Sequence, residues 1–179
     1  MRKLLVLSAA LVVCGFAANA TEPPPQAASA EILNEQGEVI GTAEFKQGSI
    51  GVLANISIEK GSLPPGPHGF HLHAVGTCDH MDHFKSASGH INPDEKSHGY
   101  LNADGPDKGD LPNLIVHEDG GVNVELFMPQ VDVYGDGNSP RLLDSDGTSL
   151  MIHANPDDHT TQPIGGAGER IACGVIKVK

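Results

Sequence analysis

Ile50-Gly51-Val52-Leu53-Ala54-Asn55-Ile56-Ser57-Ile58-Glu59 carries apolar side chains at every second position: Ile50, Val52, Ala54, Ile56 and Ile58. Successive side chains of a strand leave from opposite sides, so this alternation predicts a β-strand with one buried face. Working back along the chain, Gln47-Gly48 and Gln36-Gly37 are hairpin signals that separate Val39–Lys46 and Ala30–Asn34, two more β-prone runs. Working forward, Gly61 to Pro67 interrupts the pattern and His68–Val75 reads as a fourth strand. Strands are expected again at Asn113–His117 and Val122–Phe127, joined by Glu118-Asp119-Gly120-Gly121, and at Leu150–Ala154 and Arg170–Val178. Gly76–Pro112 and Asn155–Glu169 show no periodicity, and loops of that length in a compact domain need something to restrain them.

The 179 residues, with Gly 22 and Pro 13, suit one domain, and an aromatic share of 4% with Trp 0 makes its core aliphatic. Neither an internal repeat nor a long amphipathic helix is evident. The expectation is an all-β, eight-stranded Greek-key β-barrel or sandwich with two long functional loops and one intrachain disulfide.

Residues 1–20 read as an export signal: Arg2 and Lys3 are followed by an apolar run from Leu4 to Ala18 and a cleavage site at Ala18-Asn19-Ala20. The run is shorter than the roughly 20 residues of a membrane anchor, so no anchor is expected. Cys14 raises a lipoprotein alternative, against which stands the bulky Val13 before it. Residues 21–29, with three consecutive prolines, are expected to form a flexible leader, and 30–179 the folded domain. Loss of Arg2 and Lys3 moves the net charge from −12 to −14, which argues against nucleic acid as a partner. Export, to the periplasm, leaves Cys78 and Cys173 as an even pair in an oxidising compartment, which implies a disulfide.

Ten histidines stand out. His71 and His73, two apart on an expected strand, leave from one face and can converge on one ion. His90, His98, Asp107 and Asp110 lie in the first long loop, and His153 ends a later strand. Imidazole mixed with carboxylate suits zinc or copper, whereas calcium takes oxygen alone. His68 is expected to be a structural hydrogen-bonding residue and His117 and His159 surface residues. His80 and His83, close to Asp79 and Asp82, read as a solvated loop or an accessory metal-capture patch.

Several ordered motifs go further. Gly69-Phe70-His71-Leu72-His73, Gly89-His90-Ile91-Asn92-Pro93, Gly109-Asp110-Leu111-Pro112-Asn113 and Gly165-Gly166-Ala167-Gly168-Glu169-Arg170-Ile171-Ala172-Cys173-Gly174-Val175-Ile176 resemble the copper-zinc superoxide dismutases of the bacterial periplasmic type. The resemblance runs from about residue 30 to the C-terminus. It implies an enzyme that converts two superoxide anions and two protons to dioxygen and hydrogen peroxide. Copper would be held by His71, His73, His90 and His153, and zinc by His90, His98, Asp110 and Asp107. His90 would bridge the metals, Asp157 would link the two sites from behind, and Arg170 would stand beside copper. Asp107 falls where the family carries a histidine; a carboxylate reaches zinc at about 2.0–2.2 Å, so a two-histidine, two-aspartate site is chemically sound. The competing reading is a weakened or empty zinc site. A copper/zinc-binding module of the same fold without turnover is the alternative function, and the resemblance leaves both monomer and homodimer open.

Overall fold

The computed structural model describes residues 27–135 and 139–179. The expected signal, Cys14 and the leader up to residue 26 lie outside the described residues. Among the described residues nine strands follow in order: β1 Ala27–Asn34, β2 Val39–Gln47, β3 Val52–Ile58, β4 Gly66–His68, β5 Phe70–His73, β6 Leu114–Val116, β7 Val122–Met128, β8 Thr148–His153 and β9 Arg170–Val178. Seven of them form one curled antiparallel sheet in the order β5-β8-β9-β1-β2-β3-β7, and β4 and β6 form a separate ribbon. The neighbours β9–β1 and β3–β7, distant in sequence, are Greek-key returns.

The alternation in β3 does what period two requires. Val52, Ala54, Ile56 and Ile58 face inward onto Ala28, Ile32, Ala43 and Phe45, and the core is aliphatic as its composition demands. Ile50 departs from the pattern. It lies in the turn closed by the Gly48 N–H on the Gly51 carbonyl, ahead of the strand, and is 74% exposed. β1 begins at Ala27, so residues 27–29, expected to close the leader, pair instead with Lys46, Phe45 and Glu44. The expected fourth strand is two strands, because the chain changes partner at Gly69. There the backbone passes so close to Ala167 that a Cβ would collide with it, and the Gly69 carbonyl accepts from the His153 N–H.

The β5–β8 end of the sheet decides where the chemistry sits. All residues of β5 and β8 are buried, on both faces. Phe70, Leu72, Leu150 and Ile152 enter the main core, so alternation sends His71, His73, Met151 and His153 to the opposite face. The first long loop covers that outer face. Short 3-10 turns at His80–Asp82 and Lys85–Ala87 lay Phe84 and Ala87 against Met151 and Cys173, with Cys78 beside them, as a second small core. The Cys78–Cys173 disulfide, with Cα atoms 5.6 Å apart, pins this loop to β9 across 95 residues of sequence. Among the described residues no helix is long and apolar enough to cross a membrane.

Candidate metal centre

Four buried imidazole nitrogens on the covered face have no hydrogen-bond partner: His71 Nδ1, His73 Nε2, His90 Nε2 and His153 Nε2. In each ring the other nitrogen faces an oxygen. His71 Nε2 lies 2.9 Å from Asp157 Oδ2, His73 Nδ1 2.8 Å from the Ser88 carbonyl, His90 Nδ1 2.9 Å from Asp107 Oδ2 and His153 Nδ1 3.0 Å from the Gly168 carbonyl. A carbonyl or carboxylate oxygen only accepts, so each ring presents N–H to its oxygen, and in its neutral form carries a lone pair at the orphan position. Burial holds His73 well below the ordinary imidazole pKa; it also holds His71 below it, and takes His153 down to about 3. These three are neutral at pH 7. Buried orphan lone pairs are costly alone and are what a metal cation satisfies. Ligand atoms of His71, His73 and His153 come within 4.8 Å of one another, and the His71 and His90 ring centroids are 4.2 Å apart.

Behind this group lies a second one of opposite character. Ligand atoms of His90, His98, Asp107 and Asp110 also fall within 4.8 Å of one another. Asp110 Oδ1 lies 2.5 Å from His98 Nδ1 and 3.5 Å from His90 Nδ1. Burial alone would lower the pKa of both rings. The flanking carboxylates outweigh it, raising His90 through Asp107 and Asp110, and His98 to about 10 through Asp110 and Asp157. The same contacts overcome burial to hold Asp110 and Asp157 far below the usual carboxylate range. A site of two imidazoles and two carboxylates that attracts positive charge this strongly suits zinc. Asp107 belongs to it, 4% exposed at its side chain, with Oδ1 accepting from the Gly109 N–H so that Oδ2 is aimed at His90.

Asp157 joins the two groups. Its Oδ2 accepts from His71 Nε2 and its Oδ1 lies 3.0 Å from His98 Nε2. A carboxylate behind a ligating imidazole fixes tautomer and ring direction. Asn113 holds Asp157 in turn: its Oδ1 accepts the Asp157 N–H and its Nδ2 donates to the Asp157 carbonyl, both at 2.8 Å. Arg170 leads off β9 and donates to the Phe84 carbonyl at 2.5 Å and the Ser88 carbonyl at 2.6 Å. The Ser88 carbonyl is therefore shared by Arg170 and His73. A cleft of about 570 Å³ opens here, lined by His73, His90, Lys85, Lys96 and Arg170.

His71, His73, His90, His98, His153, Asp107, Asp110, Asp157 and Arg170 lie in or beside these two groups. His68 is buried between the His153 and Pro64 carbonyls, the structural role expected of it. His159 departs from expectation: its side chain is only 20% exposed, 5.5 Å between centroids from the Tyr100 ring, and its N–H donates to Asp157 Oδ1. Asn113, Ser88 and Phe84 were missed as functional positions. Asn113 sits inside a quoted motif, but Ser88 and Phe84 act through main-chain carbonyls that no side-chain pattern reveals.

The chain is similar to known proteins over most of its length. The copper/zinc superoxide dismutase (SODC) family model matches residues 39–176. Copper-zinc superoxide dismutase 1 of Aquifex aeolicus is 47% identical over 83% of this chain and 86% of its own length. The copper-zinc superoxide dismutase of Caulobacter vibrioides is 45% identical over 84% of this chain and 85% of that protein. Among solved structures, a superoxide dismutase-like protein from Bacillus subtilis superposes with a TM-score of 0.76 at 39% identity, covering 82% of this chain and 95% of that one. The copper/zinc enzyme of Brucella abortus gives 0.65 at 29% identity, covering 84% and 99%. With the family model matched over residues 39–176 and a relative 47% identical over 83% of the chain, the chain belongs to the copper/zinc superoxide dismutase family.

Proposed function

We propose that this chain dismutates superoxide, two anions and two protons giving dioxygen and hydrogen peroxide. In this reading His71, His73, His90 and His153 hold copper, and His90, His98, Asp107 and Asp110 hold zinc. The observation that carries it is the set of four buried, unpartnered ring nitrogens gathered on one face. Bound copper supplies the one-electron redox chemistry, and zinc, which has no accessible redox change, supplies fixed charge.

The remaining work belongs to side chains of this protein. Superoxide is an anion and the chain is net −12, so binding needs a local field of opposite sign. Arg170, Lys85 and Lys96 provide it at the cleft, where low-dielectric walls focus the potential. Arg170 keeps its charge, and two of its donors are spent on backbone carbonyls, so the guanidinium is fixed in direction while others remain for a small oxyanion. His90 Nδ1 faces Asp107 and Asp110, on the side where zinc would be held, so Nε2, toward the cleft, would serve copper and, when released from it, would hold a proton for the reduced product. Asp157, clamped by Asn113, keeps His71 and His98 turned toward their metals. The signal-like N-terminus and the disulfide support export to the periplasm.

A dismutase assay on copper- and zinc-loaded protein is the direct test. Arg170→Glu is expected to retain copper while kcat/KM falls by roughly 10- to 1,000-fold, the range of electrostatic steering. Undiminished turnover would remove Arg170 from the mechanism. Protein matured with both metals is expected to hold close to one zinc per chain, and Asp107→Ala to lose most of it while keeping copper. Elemental analysis with full copper and negligible zinc in the unaltered protein would reject the two-aspartate zinc site.

A further inference from the structure

One side-chain amide takes hold of the zinc-side histidine from outside its own loop. Gln162, in the second long loop, accepts the His98 N–H at Oε1 (2.9 Å), and its Nε2 donates to the His98 carbonyl (2.8 Å). Nε2 also donates to the Thr160 carbonyl at 3.0 Å, so both amide hydrogens are used. This repeats what Asn113 does to Asp157, and the two bracketed residues meet, with His98 Nε2 3.0 Å from Asp157 Oδ1. His98 otherwise sits in a stretch without regular structure, and the ring it carries must satisfy Asp110 on one side and Asp157 on the other. A two-point hold on both polar groups of one residue fixes its backbone as a strand neighbour would, which sets where Cβ starts and therefore where Nδ1 ends.

We infer that Gln162 is a positioning residue for zinc, acting through the backbone of His98. The inference rests on the reading of His98 as a zinc ligand. It concerns the zinc position, since the hydrogen bonds of Gln162 go to His98 and Thr160 and not to His71, His73 or His153. Outer partners of a metal ligand typically set 10- to 100-fold of affinity, and the exposure of Gln162 places the effect at the lower end, about tenfold.

The test uses Gln162→Met, of similar length but without the amide, and Thr161→Val as a control. The control removes the Thr161 Oγ1 bond to Asp158 (2.6 Å) in the same turn without touching His98. Zinc(II) affinity is measured by chelator competition and the site geometry by the visible spectrum of cobalt(II) substituted for zinc. Copper affinity and the Tm of metal-free protein are measured alongside. The expected result is about tenfold weaker zinc and an altered cobalt spectrum in Gln162→Met, with copper affinity and metal-free Tm unchanged and Thr161→Val like the unaltered protein. Equal zinc affinity in Gln162→Met overturns the inference. So does an equal loss in Thr161→Val, or a parallel loss of copper and Tm, because either would mean general loop stiffness. Failure of the unaltered protein to bind zinc would instead remove His98 as a ligand, and the inference with it.

Discussion

His153→Ala is expected to bring dismutase turnover to background while leaving the fold in place. His153 ends β8 on the covered face, its ring held by the Gly168 carbonyl and its Nε2 unpartnered and buried. Deleting it takes one of four nitrogens from the proposed copper position. Loss of a mere supporting partner of a metal ligand costs about 10- to 100-fold, so direct removal is expected to exceed 100-fold in copper affinity or activity. The barrel should tolerate the change, because His153 is not part of the aliphatic core, whose nearest member on β8 is Ile152. The decisive measurements are copper content and the nitrogen coordination seen by electron paramagnetic resonance, with metal-free Tm as the control for folding. A variant that keeps full copper and turns over within a few-fold of the unaltered protein would sink the assignment.

The second large effect is expected from replacing Cys78 and Cys173 together by serine. The link spans 95 residues, and loss of a native disulfide typically costs about 2–5 kcal/mol. At about 2–4 °C per kcal/mol for a domain of this size, metal-free Tm should fall by roughly 5–20 °C. The cost should not stop at stability. The loop tied down by Cys78 presents the Phe84 and Ser88 carbonyls to Arg170, and Phe84 itself packs in the small core beside Cys173. Turnover at a temperature where the double variant is still folded is therefore expected to drop as well. A Tm shift under 2 °C would show that the small core alone secures the loop.

Much of this was readable in advance, for reasons that differ from element to element. β3 declared itself because one of its faces is wet enough to keep polar Asn55 and Ser57 between buried residues. β5 and β8 were legible only through their histidines and apolar partners, since both faces are buried there and polarity no longer marks the outside. The break at Gly69 was hidden because the strand pattern continues through it, and only the crowding against Ala167 shows why a glycine stands there. The start of β1 was misjudged because Ala27, Ala28 and Ser29 have the composition of a leader. The small side chain of Ala28 disappears completely into the core. At the site the proposed ligand residues stand in recognisable motifs, whereas the holds of Asn113 and Gln162 act on backbone atoms 44 and 64 positions away. Such pairings leave no periodic trace.

The sheet keeps two separate interiors, one for each face. Residues such as Ile32, Phe45 and Ile56 secure the scaffold without meeting a ligand, whereas Phe84, Ala87 and Met151 seat the chemical cap. Errors in the first should therefore reduce the yield of folded molecules but leave each survivor fully competent. Errors in the second should give a normal yield of molecules that each work poorly. Sorting variants by specific activity per folded chain would map the boundary between the two.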